Sequence, residues 1–244
     1  MNEVIYEVKD GIATVTINRP EKLNALTTQT YSELHDAIAR FITDTSAVVL
    51  VLTGAGRAFC SGQDLNEVQE ISTRSPAEIQ QGLDTVQNIT RMLINMNKPS
   101  VAAINGPAVG AGAEIPLACD LRFAAEGSFF FFPELKHGLF TTNASTCLLP
   151  RLIGHSRASE LLFLGEQISG ETALGFGLIN RLVSTEEFEK SVLAAARRLR
   201  DNHPQATALL KQALRTNPQA GVEKSLKAEI AATMDLAVTA SDRD

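Results

Sequence analysis

Hydrophobic positions near the start of the chain follow first the spacing of strands and then that of a helix. The segments Val4–Val8 and Ile12–Ile17 are short and β-rich, and Asp10-Gly11 between them is a strong signal for a tight hairpin turn. Further along, Ala47–Thr53 is apolar at consecutive positions, so both of its faces are apolar, as in a strand covered by helices on both sides. A helix before that strand is predicted by apolar residues at helical spacing: Leu34, Ile38 and Phe41/Ile42.

The alternation of predicted strands and helices continues to about Ser156 and then changes. Ser75-Pro76-Ala77-Glu78 is a capping box that predicts the start of a second helix, and Ser100–Ile104 and Cys119–Ala124 are predicted buried strands. From about Ser156 onward the pattern is helical, broken only by a short strand at Leu178–Val183. We therefore predict an α/β core over residues 1–184 and a helical C-terminal region over residues 185–244.

Composition and charge narrow the class of protein. The chain has 244 residues, of which 44% are hydrophobic and 20% charged, as in an ordinary globular protein. A net charge of −6 argues against a nucleic-acid partner. The longest apolar run, Ala47–Leu52, is too short to span a membrane, and the charged N-terminus predicts no signal peptide. Cys60, Cys119 and Cys147 lie far apart with no CxxC pair, so we expect reduced thiols in a cytoplasmic protein and no metal site.

Two segments rich in glycine and small residues carry the candidate chemistry. They are Thr53–Leu65 and Gly106–Asp120, and each follows a predicted buried strand and leads towards a probable helix. A dinucleotide-binding fingerprint does not fit the first, because Phe59 stands where its third glycine belongs and Arg74 where an acidic residue belongs. Two such loops that face each other would offer two backbone N–H groups to one oxygen, which is an oxyanion hole. The alternative is that the glycines only permit tight turns.

Two glutamates stand in these apolar surroundings. Glu114 lies within one helical turn after Gly110-Ala111-Gly112 in the second segment, and Glu134 follows Phe129–Pro133. Carboxyl groups in apolar settings can acquire raised pKa values and divide acid and base work between them. A structural alternative for Glu134 is a first-turn glutamate favoured by the helix dipole. A nucleophile is less well supported, since GxSxG is absent and no spacing pairs the candidates Cys60, Cys147, His137 and His155.

At this point the residues match a known family over nearly the whole length of the chain. The sequence resembles the crotonase superfamily, that is, the enoyl-CoA hydratases and isomerases. The matching segments, in the family's order, are Asn18–Leu26, Val51–Leu65, Lys98–Gly106, Gly110–Asp120, Phe132–Leu135, Leu149–Gly154 and Ala173–Val183.

The resemblance implies a spiral of ββα units, followed by C-terminal helices that build a trimer or a dimer of trimers. It implies an oxyanion hole formed by the backbone N–H groups of Gln63 and Ala111, with Glu114 and Glu134 as the catalytic pair. It implies an acyl-CoA thioester substrate and no separate cofactor, because coenzyme A is part of the substrate. The positions that it assigns to CoA and substrate binding are Lys22, Leu23, Ala58, Ser61, Gln63, Asp64, Leu65, Gly110 and Pro133.

The first functional hypothesis is therefore a lyase that hydrates a 2-enoyl-CoA with both glutamates. The alternatives are an enoyl-CoA isomerase or thioester hydrolase that uses one glutamate, and a non-catalytic acyl-CoA-binding trimer. The chain departs from the family in three places. Phe140–Cys147 replaces a glycine-rich PGAGGTQ segment, and Phe130-Phe131 replaces a common Gly-Gln pair just before Glu134; both changes border the acyl pocket that the resemblance implies. The sequence also stops at Asp244, where the family continues with a final helix that helps to cover CoA, so we expect either a truncated chain or the absence of that helix.

Overall fold

The computed structural model describes residues 2–70 and 74–241, which form two sheets surrounded by helices. The strands are β1 Val4–Lys9, β2 Ile12–Ile17, β3 Val49–Gly54, β4 Ser100–Ile104, β5 Ala108–Val109, β6 Leu121–Ala125, β7 Phe129–Phe131, β8 Ile168–Ser169 and β9 Arg181–Val183. The helices are α1 Thr28–Thr43, α2 Leu65–Glu70, α3 Pro76–Asn95, α4 Ala111–Glu114, α5 Ser145–Ile153, α6 His155–Leu164, α7 Gly170–Phe176, α8 Phe188–Arg200, α9 Pro204–Ala220 and α10 Val222–Ser241.

The predicted hairpin at the start of the chain is confirmed. Strands β1 and β2 pair antiparallel with Lys9 opposite Ile12, and the turn between them consists of Asp10 and Gly11. Both turn residues have positive φ, 51° and 75°, which is the backbone that a two-residue turn of this kind needs. Asp-Gly at this position therefore determines the register of the pair.

The larger sheet has six strands in the order β1-β2-β3-β4-β6-β9, and all pairs except β1–β2 are parallel. Both faces of β3 are covered, which explains why its sequence is apolar throughout. Leu50 and Leu52 belong to a core shared with α1 and α3, whereas Val49 and Val51 pack with Val192 and its neighbours on α8. The prediction of a doubly covered strand is thus confirmed.

A second, three-stranded sheet was not predicted. Its strands β5, β7 and β8 have only two or three residues each, too few to show the period-two pattern of a strand. The pairing of Val109 with Phe131 is extended by a hydrogen bond from the Gly110 N–H to the Phe131 carbonyl oxygen, at 2.8 Å. This small sheet joins the chain before α4 to the chain before Glu134, so it brings two distant parts of the sequence together.

The helical C-terminal region is confirmed over residues 188–241. Helix α8 packs on the large sheet, while α9 and α10 contact each other. The ammonium group of Lys211 fastens α9 to the core, because it donates to the carbonyl oxygens of Leu93 and Lys98 and to the Asp120 carboxylate, at 2.8–3.2 Å. In the described part of the chain, no helix is both long and apolar enough to cross a membrane.

The Ser75 capping box also forms as predicted, with Ser75 and Glu78 each accepting the other's backbone N–H. Among the apolar residues of α3, Val86 and Leu93 are buried, but Leu83 is 37% exposed. The first half of α3 therefore lies outside the core of the single chain. Helix α5, by contrast, was not predicted, and its first three residues belong to the segment Phe140–Cys147 that departs from the family the sequence resembles.

Glycine is required where the two glycine-rich loops touch. A Cβ atom added to Gly112 would lie only 2.3 Å from the Cys60 carbonyl oxygen, and one added to Gly62 would lie 2.8 Å from the Val109 carbonyl oxygen. Such contacts are far closer than atoms can approach, so a larger residue would push the loops apart. The spacing of small residues in the sequence therefore sets the distance between these two backbones.

The close approach of the two loops predicts that glycine-to-alanine substitutions at two positions change the free energy of unfolding in opposite directions. Gly112→Ala should destabilise the fold by about 1–3 kcal/mol or more, because the added methyl group overlaps the Cys60 backbone. Gly175→Ala, inside α7 with nothing within 4 Å of the added atom, should instead stabilise it by about 0.5–1 kcal/mol. Urea unfolding measures both, and equal stability of the two variants would contradict the close approach.

Candidate active site

The two glycine-rich loops are joined by backbone hydrogen bonds. The Cys60 N–H donates to the Pro107 carbonyl oxygen at 3.1 Å, and the Val109 N–H donates to the Cys60 carbonyl oxygen at 2.9 Å. On its other side the first loop pairs with Leu26, which accepts from the Asp64 N–H at 2.9 Å and donates to the Gly62 carbonyl oxygen at 2.8 Å. The loops thus lie face to face.

The backbone amides of Gln63 and Ala111, predicted as oxyanion donors, lie where these loops meet. Their neighbours Gly62, Asp64 and Gly110 all donate hydrogen bonds within the protein. Within residues 2–70 and 74–241, the N–H groups of Gln63 and Ala111 donate none. A Cβ atom at Gly62 would come within 3.7 Å of the Ala111 nitrogen, which shows how near the two loops are. Two unpaired donors on adjacent backbones suit the binding of one oxygen atom.

Glu114 is almost completely buried, with 1% of its surface exposed. The Thr141 hydroxyl donates to its Oε1 atom, and Oε2 accepts from the Thr142 N–H, the Asn143 N–H and the Asn143 side-chain amide, at 3.3, 3.2 and 3.0 Å. The sequence led us to expect an apolar setting for this carboxylate, and that expectation is wrong. Four donors surround it, all from residues 141–143.

The side chain of Asn143 accepts a hydrogen bond from helix α3. The Thr90 hydroxyl donates to the Asn143 Oδ1 atom at 2.9 Å, and both side chains are buried. Sequence analysis missed Thr90, Thr141 and Asn143. The available signal was the replacement of a glycine-rich family segment by polar residues, but nothing in the sequence connects that segment with Glu114 or with α3.

Glu134 has a different environment. It begins a short 3-10 helix, Glu134–His137, directly after the buried Pro133, and its own side chain is half-buried. Burial, followed by the charge of Glu114, raises the pKa of Glu134 to about 7. Its Oε1 atom would lie 3.2 Å from a Cβ added to Gly110, so this carboxyl group lies beside the residue that directly precedes α4.

The other candidate nucleophiles have no arrangement that would activate them. Burial raises the pKa of the Cys60 thiol to about 12, so this thiol stays protonated at neutral pH. Cys147 and His137 are exposed. The contact of His155 Nε2 with the Ser159 hydroxyl, at 3.4 Å, lies on the surface. In the described residues, no three His, Cys, Asp or Glu side chains are grouped so as to hold a metal ion.

The positions assigned to CoA binding near the N-terminus lie together. Lys22 ends a 3-10 helix, and Leu23 follows it with a φ of 51°. The Leu23 carbonyl oxygen accepts from the Ser61 N–H at 3.0 Å, so this turn lies against the first glycine-rich loop. Ala58 is buried, and its carbonyl oxygen accepts from the Asn24 side chain at 2.8 Å. The binding roles of these residues remain predictions.

Two further assigned positions differ sharply in exposure. The Asp64 carboxylate is paired with the Arg19 guanidinium at 3.1 Å, and Arg19 also contacts Glu3 at 3.2 Å. Leu65, the first residue of α2, is 66% exposed. Asp64 therefore anchors the loop, whereas Leu65 is free to contact a ligand.

An apolar cavity of about 240 Å³ opens beside Glu134 and Thr141. Its apolar lining residues are Leu135, Phe140, Pro150, Ala158, Leu162 and Phe163. A larger, open and more polar cleft of about 730 Å³ lies between α1 and α3, with His35, Asp84 and Arg91 along it. That cleft contains none of the predicted site residues, so the cavity beside Glu134 is the better candidate for an acyl group.

Comparison with known proteins identifies the family. Residues 7–243 match the family model for enoyl-CoA hydratase/isomerase, and the chain belongs to this family. It is 34% identical over 245 residues to a short-chain-enoyl-CoA hydratase of Clostridium acetobutylicum, covering 100% of this chain and 93% of that protein. It is 35% identical over 215 residues to a 1,2-epoxyphenylacetyl-CoA isomerase of Escherichia coli, covering 88% of this chain and 82% of that protein.

Solved structures agree with this assignment. The fold matches that of an enoyl-CoA hydratase from Bacillus anthracis with a TM-score of 0.89 and 29% identity, over 95% of this chain and 90% of that one. It matches an enoyl-CoA hydratase from Polaromonas sp. JS666 with a TM-score of 0.90 and 27% identity, over 95% of this chain and 90% of that one. The predicted crotonase-like α/β fold with a helical C-terminal region is thus confirmed.

The raised pKa of Glu134 predicts a pH-dependent effect on stability. Between pH about 4.5 and about 7 the folded protein keeps a proton on Glu134 that the unfolded chain has lost, so this group lowers stability as the pH rises. Glu134→Gln removes the charge, so its stability relative to the wild type should increase from about pH 5 to about pH 8. Urea unfolding at both pH values measures this difference.

The control for this measurement is Glu166→Gln, a change of the same kind at an exposed position. Its stability relative to the wild type should stay nearly constant over the same range. A Glu134→Gln difference that also stayed constant would show that Glu134 is not held in its protonated form.

Proposed function

We propose that the protein is an enoyl-CoA hydratase that adds water reversibly to a 2-enoyl-CoA thioester. The observation that carries this proposal is the juxtaposition of two carboxyl groups, Glu114 and Glu134, with two unpaired backbone amides in one region. The family membership and the hydratases among the relatives support it.

The oxyanion hole would make the β-carbon reactive. When water adds to Cβ, negative charge moves to the thioester carbonyl oxygen, and the Gln63 and Ala111 N–H groups would stabilise it. By comparison with other oxyanion holes, each such donor contributes about 3 kcal/mol to transition-state stabilisation. Both donors belong to the backbone, so they are positioned before the substrate arrives. This step needs no metal or redox cofactor.

The two glutamates would divide the proton transfers. The oxygen of water bonds to Cβ while one O–H bond breaks and its proton passes to Glu114. Glu134 supplies a proton to Cα, which becomes a C–H bond as the negative charge leaves the carbonyl oxygen. A pKa of about 7 lets Glu134 carry that proton at neutral pH. The four donors around Glu114 match an ionised carboxylate, which only accepts hydrogen bonds.

The cavity beside Glu134 would receive the acyl chain. Its lining is mainly aliphatic and aromatic and includes Leu135, Ala158 and Leu162. Such a surface binds hydrocarbon by excluding water and offers little to a charged or strongly polar acyl group. The proposed substrates are therefore 2-enoyl-CoA esters with short unsubstituted hydrocarbon chains.

A second candidate is isomerisation of an enoyl-CoA by one carboxyl group. One observation favours it: residues 141–143 already occupy much of the hydrogen-bonding capacity of Glu114, whereas no other side chain donates to Glu134 among the described residues. In that case Glu134 alone would carry a proton between Cα and Cγ. The isomerase among the relatives belongs to the same family.

Substitution of each glutamate separates the two candidates. For hydration, Glu114→Gln and Glu134→Gln should each lower kcat by about 10²–10⁴-fold, because each removes one partner in proton transfer. The two losses should not add in the double variant, because the pair acts as a unit. Loss of absorbance of crotonyl-CoA and of a longer 2-enoyl-CoA measures hydration, and 3-enoyl-CoA measures isomerisation.

The control is binding of a saturated acyl-CoA, which both variants should retain. If Glu114→Gln kept wild-type turnover with an intact circular dichroism spectrum, the two-glutamate mechanism would be wrong and the isomerase would be favoured. If the wild type bound acyl-CoA but converted neither substrate, the protein would be a binding module.

We also propose that the active protein is a homotrimer or a dimer of trimers in the cytoplasm. The three cysteines are free, which suits a reducing compartment. In the single chain, α9 and α10 expose large apolar side chains that would otherwise meet water. These side chains are Leu210, Leu214, Val222, Leu226, Ile230 and Met234.

Light scattering at micromolar concentration should therefore give three or six times the mass of one chain. Ile230→Glu, which places a charge on a side chain that is 65% exposed in the single chain, should lower that mass. Lys227→Glu, on the same helix and also exposed, is the control and should leave the mass unchanged. A wild-type protein that stays monomeric would contradict the proposed assembly.

A further inference from the structure

The two oxygen atoms of Glu114 are not equivalent. Oε2 accepts three hydrogen bonds, from the Thr142 N–H and from two N–H groups of Asn143. Oε1 accepts one, from the Thr141 hydroxyl. Because a carboxylate oxygen offers about two lone pairs, Oε2 is saturated and Oε1 keeps one free. Only Oε1 is therefore able to accept a further proton.

The partners of the two oxygen atoms differ in their relation to the apolar cavity. Thr141, the only partner of Oε1 in the described residues, lines the cavity together with Glu134. Asn143, which binds Oε2, is completely buried and does not line that cavity. Oε1 is therefore the oxygen that is linked to the cavity through a single side chain, whereas Oε2 is bonded to the protein interior.

The orientation of Asn143 is determined by α3. Its Oδ1 atom accepts from the Thr90 hydroxyl at 2.9 Å, which turns its Nδ2 atom towards Glu114 at 3.0 Å. Thr90 is 4% exposed, and Asn143 and Glu114 are 0% and 1% exposed, so no solvent competes with this chain of contacts. Buried hydrogen bonds of this kind hold side chains in one arrangement.

We propose that Asn143, oriented by Thr90, is a positioning residue that presents Oε1 of Glu114 as the proton-accepting atom. The role rests on the proposed function, in which Glu114 takes a proton from water. Without the side-chain amide of Asn143, Oε2 would lose one of its three donors, and the carboxylate could rotate. Misplacement of a catalytic group by about 1 Å can lower the rate about 10²-fold.

A purely structural role for Asn143 makes different predictions. If the amide only satisfied a buried charge, its loss would lower stability, and the remaining folded protein would turn over normally. If it positions Glu114, the loss falls on kcat, while binding of a saturated acyl-CoA stays unchanged. The decrease in kcat should also depend on Glu114, because Asn143 acts through that carboxylate. Replacing Asn143 should therefore have little effect once Glu114 has been replaced.

Thr90 offers the mildest test because it contacts neither Glu114 nor the cavity. Thr90→Val keeps the shape of the side chain and removes the hydroxyl, and we expect it to lower kcat about tenfold or more without changing acyl-CoA binding. Thr90→Ser restores the hydroxyl and should recover most of that loss. Thr85→Val is the same change on the same helix at a hydroxyl that donates to the Gln81 carbonyl oxygen, away from Glu114 and the apolar cavity, and it should have no effect.

The double variant completes the test. Asn143→Ala should lower kcat about 10²-fold in the wild type but have little further effect when Glu114 is already Gln, measured at high enzyme concentration. The proposal is overturned if folded Asn143→Ala or Thr90→Val keeps wild-type kcat, or if Thr90→Ser is as slow as Thr90→Val. It is also overturned if Asn143→Ala lowers kcat by the same factor in the wild type and in the Glu114→Gln variant. If the wild type fails to hydrate crotonyl-CoA, the proposed function itself fails; an active wild type with unaffected variants refutes the positioning role alone.

Discussion

A carboxylate that is removed from water must be surrounded by hydrogen-bond donors, and Glu114 imposes this requirement on the whole region. Its donors come from residues 141–143, so that segment must lie against α4. Asn143 in turn needs Thr90 to hold its amide, so α3 must pack beside the same segment. One buried charge therefore links three parts of the chain, since leaving any of its bonds unmade would cost several kcal/mol.

The two glutamates show how one region can hold similar groups in different environments. Glu114 is enclosed and accepts four hydrogen bonds from residues 141–143, whereas Glu134 is half-buried, receives no side-chain donor from the described residues and faces the charge of Glu114. Burial without donors favours the neutral acid, which is why the pKa of Glu134 is raised. The two carboxyl groups therefore differ in their surroundings although they lie in one region.

Local signals in the sequence predicted the elements that depend on neighbouring residues. The Asp10-Gly11 turn and the Ser75 capping box form as predicted, because both are determined by the φ angles and hydrogen bonds of adjacent residues. The small strands β5, β7 and β8 were missed, because two or three residues carry no periodic pattern. Their formation depends on partners such as Val109 and Phe131, which are distant in sequence.

For the site, the sequence by itself determined which residues are suited to the chemistry. It places Glu114 one turn after a glycine-rich loop, and its small residues allow that loop to meet the one at Cys60. Tertiary structure alone decided the state of each carboxyl group, because their partners lie far away along the chain. Thr141 is 27 positions from Glu114, and Thr90 is 53 positions from Asn143. Hydrogen bonds over such separations have no local pattern, so only the folded chain shows that Oε2 of Glu114 accepts three hydrogen bonds and Oε1 accepts one.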